Sequence, residues 1–449
     1  MRPYDWLAHT ALRTPDAVAL DDGRNQFTYA ELDRQADEVA ADLGSGGVEA
    51  GSTVLLRLGK GLDKAIQVHA LIRLRATIVP VENDLPPEEI ARATEAVRPD
   101  HEIGPELESV GQRPGGLELE RPEPSDVLCR ILTGGSTGRP KAISLTRENH
   151  FTSAVGSALN LGVEPDDRWF CPVSLSHVSG FSILIRSVIA GTGVFLTDHF
   201  NPETLVEATG KRGVNCASLV PTMLRRTLEH GIVPEGLRFV LVGGGPVAGE
   251  LVLEAIETGI PAVPTYGLTE ACSQVATSTP TDAAERPSSA GRPLSVTEVR
   301  IDDGEILARG PTISRDAVGE DGWLRTGDLG RLDDEGYLFV EGRRDRAILT
   351  GGEKVQPVEV EEILQADPSV FEAVVFGIPD PEWQEAIVAV VAGTRGEQPD
   401  VEALRRTCHG KLAGFKVPKR VVAVDSVPLN RAGKPDLNAL IELVGGADR

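Results

Sequence analysis

Residues 131–141 read Ile131-Leu132-Thr133-Gly134-Gly135-Ser136-Thr137-Gly138-Arg139-Pro140-Lys141. The apolar run 126–132 has the composition of a buried strand, and it opens straight into glycines, hydroxyls and a lysine. Glycines there let backbone N–H groups approach an anion closely, while Ser136, Thr137 and Lys141 add donors and one positive charge. The stretch is not a Walker loop, because Pro140 precedes the lysine and no Gly-Lys-Ser/Thr follows at the required spacing. This strand is one of several that alternate with helices along the chain.

The flanking sequence repeats that pattern. Residues 53–58 and 77–81 are strand-like and enclose an apolar helix over 63–74. Residues 30–43 place Leu32, Ala36, Val39 and Leu43 on one helical face. The alternation resumes after Asp126 and runs to about residue 264, which predicts an α/β architecture of mainly parallel covered sheets. From Glu298 the texture changes to short antiparallel-looking strands at 298–301, 304–308 and 337–341, turned by Asp302-Asp303-Gly304 and Glu335-Gly336. Arg343-Arg344-Asp345-Arg346 then interrupts the chain before a separate strand and helix pattern that includes 358–365 and 371–378. The expected organisation is a large N-terminal domain over 1–343 with a β-rich subdomain, a hinge at about 344–346, and a small mobile α+β domain over 346–449.

A chain of 449 residues with 41% hydrophobic and 25% charged residues is globular and too long for one ordinary core. Its net charge of −23 opposes nucleic acid and anionic membranes, so any nucleotide site must bring its own donors and cations. The apolar run 181–196 is short for a membrane span and is broken by Arg186, and residues 1–5 lack a signal-peptide core. A cytoplasmic protein with no membrane span is expected. Cys129, Cys171, Cys216, Cys272 and Cys408 are scattered without a CxxC pair, which suggests reduced, structural thiols and no zinc site. Only nine of the 45 basic residues are lysines, a balance that fits a high-salt cytoplasm or a high-GC genome.

With these features in view, the 131–141 stretch resembles the phosphate-binding signature of the adenylate-forming superfamily, which comprises acyl-CoA synthetases, peptide-synthetase adenylation domains and luciferases. Gly134 replaces a usual Ser and Ala142 a usual Gly, and neither change removes a charge. The resemblance implies that Thr133, Gly134, Gly135, Ser136, Thr137, Gly138 and Lys141 surround the phosphates of ATP. A second match is Pro264-Thr265-Tyr266-Gly267-Leu268-Thr269-Glu270, read from its residues as an apolar strand over 260–264 ending in a polar tip. By resemblance Tyr266 packs on adenine with Thr265, Gly267 and Leu268 in the same nucleotide site, Thr269 contacts the α-phosphate, and Glu270 holds Mg²⁺, a hard cation suited to oxygen ligands.

Gly322-Trp323-Leu324-Arg325-Thr326-Gly327-Asp328-Leu329-Gly330 resembles the ribose-binding segment, with Asp328 accepting both hydroxyls and Arg343 in support. Asp345 and Thr350-Gly351-Gly352-Glu353 resemble the hinge and the loop that reaches the active site for thioester formation, although Arg346 is unusual there. Glu359 follows Pro357 at a helix start, where simple complementarity to the helix N-terminus explains it equally well. Pro428-Leu429-Asn430-Arg431-Ala432-Gly433-Lys434-Pro435 resembles the segment whose lysine bridges carboxylate and α-phosphate during adenylation. The implied catalytic set is Lys434, Lys141, Thr269 and Glu270, with coenzyme A as the final acyl acceptor.

Two longer stretches narrow the resemblance to o-succinylbenzoate–CoA ligases of menaquinone synthesis. They are 149–162 with Asp167-Arg168-Trp169, and Leu175-Ser176-His177-Val178-Ser179-Gly180. Leu241-Val242-Gly243-Gly244-Gly245-Pro246 and Cys272-Ser273-Gln274-Val275 agree, whereas Ser176 stands where an aromatic is usual and Gln356 where Tyr is usual. The acyl pocket implied by this likeness contains His177, Ser179, Arg186, Gly243, Gly244 and Gly245. Arg186 lies in an apolar stretch, where a charge is costly unless paired. Its partner is the second carboxylate of o-succinylbenzoate, an internal acid, or solvent. Competing readings are a ligase for a fatty or aryl acid, an adenylation enzyme serving a carrier protein, and a nucleotide-binding module without catalysis.

Overall fold

The computed structural model describes residues 5–105, 121–133, 140–394, 398–429 and 435–446. Among these residues the apolar runs form a nine-stranded and a five-stranded sheet, each mainly parallel. Six parallel strands make the body of the larger sheet: Ala262–Leu268, Phe239–Val242, Cys216–Leu219, Arg168–Cys171, Gly193–Leu196 and Val18–Asp21. Antiparallel strands close both of its edges. In the smaller sheet His101–Ile103, Thr53–Leu58, Thr77–Glu82 and Val127–Thr133 are parallel, and Lys141–Thr146 returns antiparallel along the last of them.

One hydrophobic core joins the two sheets. It takes Val54, Ile78 and Ile131 from one, Leu20, Trp169 and Phe239 from the other, and the helices Asp63–Arg73 and Val178–Ala190 between them. Both helices are buried nearly all round: Val178–Ala190 is accordingly almost continuously apolar, whereas Asp63–Arg73 also buries Lys64, Gln67, His69 and Arg73. Each fully buried Leu, Ile or Phe there contributes about 1.5–3 kcal/mol of transfer free energy. Helix ends follow local chemistry: Thr28 with Glu31 and Thr146 with Asn149 form capping boxes.

A four-stranded antiparallel sheet follows, Glu298–Asp302, Glu305–Arg309, Leu324–Leu332 and Leu338–Arg343. The last sheet carries Ile348–Thr350, Glu353–Val355, Val370–Asp380, Gln384–Gly393 and Arg420–Val424. Its two cores draw only on residues from Ile348 onward, separate from the cores before it. The mainly parallel α/β class with a β-rich subdomain and an α+β C-terminal part is therefore as expected.

One boundary differs. The strand expected to end at Pro264 continues to Leu268, so the polar tip is itself a strand, paired antiparallel with Ser273–Thr277. Polar and aromatic residues there disguised an edge-side strand as a turn. Among the described residues no helix is long and apolar enough to cross a membrane.

Candidate active site

Thr133 and Lys141 face each other across the hairpin that closes the glycine-rich loop, and the Thr133 hydroxyl donates to the Lys141 carbonyl at 3.2 Å. Lys141 is exposed at this mouth. Gly134, Gly135, Ser136, Thr137, Gly138 and Lys434 lie outside the described residues. One strand further on, buried Ser314 fastens the hairpin to the Glu270 turn. Its hydroxyl donates to the Ser144 carbonyl at 2.8 Å and its backbone N–H to the Glu270 carbonyl at 2.7 Å.

The Tyr266 strand is held close to its neighbour by backbone. A Cβ on Gly267 would lie 1.7 Å from the Ser273 carbonyl oxygen, so no larger residue fits this antiparallel crossing. Just beyond Glu270, Cys272 and Ser273 take φ values of 53° and 97°, left-handed backbone that non-glycine residues adopt at a cost and that clusters at functional turns. The Thr265 hydroxyl is engaged across the ladder with the Ala276 carbonyl at 3.1 Å and the Thr277 hydroxyl at 2.8 Å. Thr269 and Glu270 stand half-buried in the one-turn helix Thr269–Ala271.

Tyr266 donates its hydroxyl to Asp328 Oδ2 at 2.6 Å, and Arg343 Nη1 donates to Asp328 Oδ1 at 3.2 Å across paired strands. Arg343 also reaches Asp345 through Nε at 2.9 Å. Burial raises the Asp328 carboxyl above the usual carboxylate range, against the lowering influence of Tyr266 and Arg343. Asp345, paired with Arg343, is held low. Each Asp328 oxygen accepts one of these donors and keeps a free lone pair, which leaves two acceptors for a vicinal diol.

Of the residues expected in an acyl pocket, His177 is the N-cap residue of the helix Val178–Ala190, with Ser179 half-buried in its first turn. Arg186 is 7% exposed on the same helix. Its donors go to neutral groups: the Ser182 carbonyl at 3.2 Å, Ser157 Oγ at 3.2 Å and Gln274 Oε1 at 3.3 Å, with the guanidinium over the Trp169 ring. Asp167 lines the same cavity as Arg186, but Arg238 holds its carboxylate at 2.6 and 2.7 Å. Among the described residues no internal carboxylate pairs with Arg186, and burial pushes its pKa down to about 10.

The Gly243–Gly245 segment follows directly on the strand Phe239–Val242. A Cβ on Gly243 would sit 2.7 Å from Thr265 Cγ2 and 2.8 Å from the Thr265 carbonyl, so this glycine admits the nucleotide-motif strand. Gly244 has φ 80°, and Gly245 lies next to Pro221. Ser176, in place of an aromatic, donates to Glu82 at 2.9 Å alongside Ser174, which fixes the turn before His177. Gly351 and Gly352, both with positive φ, make a two-residue hairpin turn, and Glu353 opens the returning strand. Glu359 is paired with Lys416 at 2.5 and 2.8 Å inside the C-terminal part.

Three contributors escaped the sequence reading. Ser157 and Gln274 lie in stretches already singled out, but nothing in the sequence says they meet Arg186. Ser314 has no local signal at all.

The pattern of AMP-binding enzymes matches residues 7–112 and 101–316, and that of the AMP-binding enzyme C-terminal domain matches residues 359–434. The chain belongs to the AMP-binding enzyme family. Within that family it is similar to a 2-succinylbenzoate–CoA ligase from Bacillus licheniformis, 35% identical over 96% of this chain and 98% of the relative. The o-succinylbenzoate CoA synthetase MenE from Bacillus subtilis, in complex with the acyl-adenylate intermediate OSB-AMP, is 32% identical with a TM-score of 0.87 over 97% of both chains. Its complex with ATP and magnesium ion also scores 0.87, at 31% identity over 97% of this chain and 99% of that one. A double mutant of that synthetase bound with the product analogue OSB-NCoA scores 0.72, at 32% identity over 98% of both chains. At nearly the same identity, the chain superposes more closely on the adenylate complex than on the product-analogue complex of this double mutant.

Proposed function

We propose that this AMP-binding enzyme is an acid–thiol ligase that converts o-succinylbenzoate, ATP and coenzyme A into o-succinylbenzoyl-CoA, AMP and diphosphate. The observation that carries the choice of acid is Arg186, a buried guanidinium with only neutral acceptors around it. A fatty or simple aryl acid offers it nothing, whereas a diacid brings the missing charge. Similarity to 2-succinylbenzoate–CoA ligases over nearly the whole chain supports the same assignment.

In the first step a carboxylate oxygen attacks the α-phosphorus and diphosphate leaves with the bonding electrons, giving acyl-AMP. The protein contributes position and charge, with no covalent intermediate of its own. Asp328 with Arg343 would hold the ribose, Tyr266 the base, and Thr133 with residues 134–138 the phosphates. Lys141 and Lys434 would neutralise developing charge beside Thr269. In the second step the thiol sulfur attacks the acyl carbon, AMP leaves, and the thiol proton is released. Asp345 with the Gly351-Gly352-Glu353 turn is assigned to this step, after rotation of a C-terminal domain about residues 344–346.

The Glu270 corner suits Mg²⁺. Glu270 presents a half-buried carboxylate at the end of this motif, the oxygen donor that a hard cation takes. When bound there, the ion would supply charge neutralisation of the triphosphate, with Glu270 as its protein ligand. A cytoplasmic location fits a chain whose cysteines are all free and buried and whose proposed substrates are polar small molecules. The direct test is incubation with o-succinylbenzoate, ATP and coenzyme A at high KCl. AMP and o-succinylbenzoyl-CoA in equal amounts are expected, and a thioester formed from a fatty acid but not from o-succinylbenzoate would refute the assignment.

A further inference from the structure

Arg225 is a basic residue that the ligase reading does not use. It sits on the helix Pro221–His230, half-buried, and points out of the large part of the enzyme into the C-terminal domain. Its Nη2 donates to Gln365 Oε1 at 3.3 Å, and its guanidinium lies 6.0 Å from the centre of the Phe371 ring. The Gln365 amide is already oriented, because its Nε2 donates to the Ala373 carbonyl at 3.3 Å and so turns the oxygen toward Arg225. The orientation of the acceptor is therefore fixed by a contact within the C-terminal domain itself.

The surroundings make this cation decisive. Glu229 and Glu254 from the large part and Glu372 from the C-terminal domain all act on Arg225. Glu362 of the C-terminal domain feels Glu250 of the large part. Without Arg225 this contact would set carboxylates against carboxylates, and like charges at short range repel. The guanidinium also starts one helical turn from the acyl pocket: Val220 and Pro221 are the neighbours of Gly244 and Gly245. Pocket and domain contact thus share one short rigid helix.

We propose that Arg225 is a positioning residue, the latch that holds the C-terminal domain in the arrangement that makes acyl-adenylate, and that its release frees the domain for thioester formation. The proposal rests on the ligase reading above and on the agreement of this chain with the adenylate complex of its relative in preference to the OSB-NCoA complex. A latch of this kind stabilises one conformer and touches no reacting atom. Its loss must therefore divide the two half-reactions, which a merely structural residue would depress together.

The test measures acid-dependent ATP–pyrophosphate exchange for the first half-reaction, and thioester formation from supplied acyl-AMP and coenzyme A for the second. In Arg225→Ala, exchange falls by about tenfold or more while the second half-reaction changes by less than about twofold, the pattern of a population shift away from one conformer. Exchange that persists at the wild-type rate, or equal loss in both half-reactions, overturns the latch. Gln365→Ala removes the acceptor from the other side and must give the same split; equal losses in it overturn the proposal even if Arg225→Ala does not fold. Arg226→Ala, an exposed neighbour on the same helix, leaves both rates unchanged. Exchange by the wild-type chain with another acid but not with o-succinylbenzoate would overturn the substrate reading instead, and the latch test then runs on that acid.

Discussion

Arg186 spends its donors on Ser157, Gln274 and a backbone carbonyl, with an aromatic face beneath it. These neutral partners satisfy its donors without cancelling its charge, so under the proposed function a substrate carboxylate would gain a charge-assisted bond. Arg186→Ala should raise KM for o-succinylbenzoate by the equivalent of about 1.5–3 kcal/mol while leaving KM for ATP nearly unchanged. Steady-state kinetics check this, and an unaltered KM for the acid would remove Arg186 from the pocket. His150 lies at the same depth, between Cys129 Sγ at 3.3 Å and Cys272 Sγ at 3.4 Å. Burial, with Arg147 and Arg186 nearby, lowers its pKa to about 3, so it is neutral in the fold. Below the ordinary histidine pKa the unfolded chain takes up a proton that the folded chain refuses, and stability falls as pH falls. The stability gap between wild type and His150→Gln should narrow by about 1.4 kcal/mol per pH unit below pH ~6.5. Urea titrations at several pH values would show it, and a constant gap would contradict it.

At the scale of elements, the strand Ala262–Leu268 is the piece on which both pockets depend. Gly243 lets it pass, and a methyl group there would press on Thr265 side chain and backbone alike. Gly243→Ala should cost about 1–3 kcal/mol in stability and lower activity. Thr265→Ser should not rescue it, because the carbonyl contact at 2.8 Å remains. A thermal midpoint unchanged by Gly243→Ala would refute this. Most of the sheets were legible because buried strands such as 53–58 and long apolar helices carry their own pattern. The strand 262–268 was mistaken for a tip because its outer half is polar, and only pairing with Ser273–Thr277 makes it a strand. The candidate nucleotide residues rest on resemblance to short ordered motifs. The pairing of Tyr266 with Asp328, the Ser314 bridge and the Arg186 partners were not, since each joins residues far apart in sequence and is fixed by tertiary packing.

For the whole molecule, a net charge of −23 stores repulsion that salt screens over a few ångströms at molar concentration. The carboxylates facing one another across the Arg225 contact belong to that excess. The thermal midpoint should therefore rise between dilute buffer and molar KCl, and a midpoint indifferent to salt would argue for a high-GC origin of the arginine-rich composition. The Tyr266–Asp328–Arg343 cluster and a buried Arg186 with neutral partners fit the proposed enzyme that activates a diacid on ATP. Acid-dependent ATP–pyrophosphate exchange, run at high KCl across a panel of acids, tests that most directly. Exchange should be supported best by o-succinylbenzoate and should fall steeply for the monoacid that lacks its second carboxylate. Exchange equal for both acids, or present only with a fatty acid, would contradict the account.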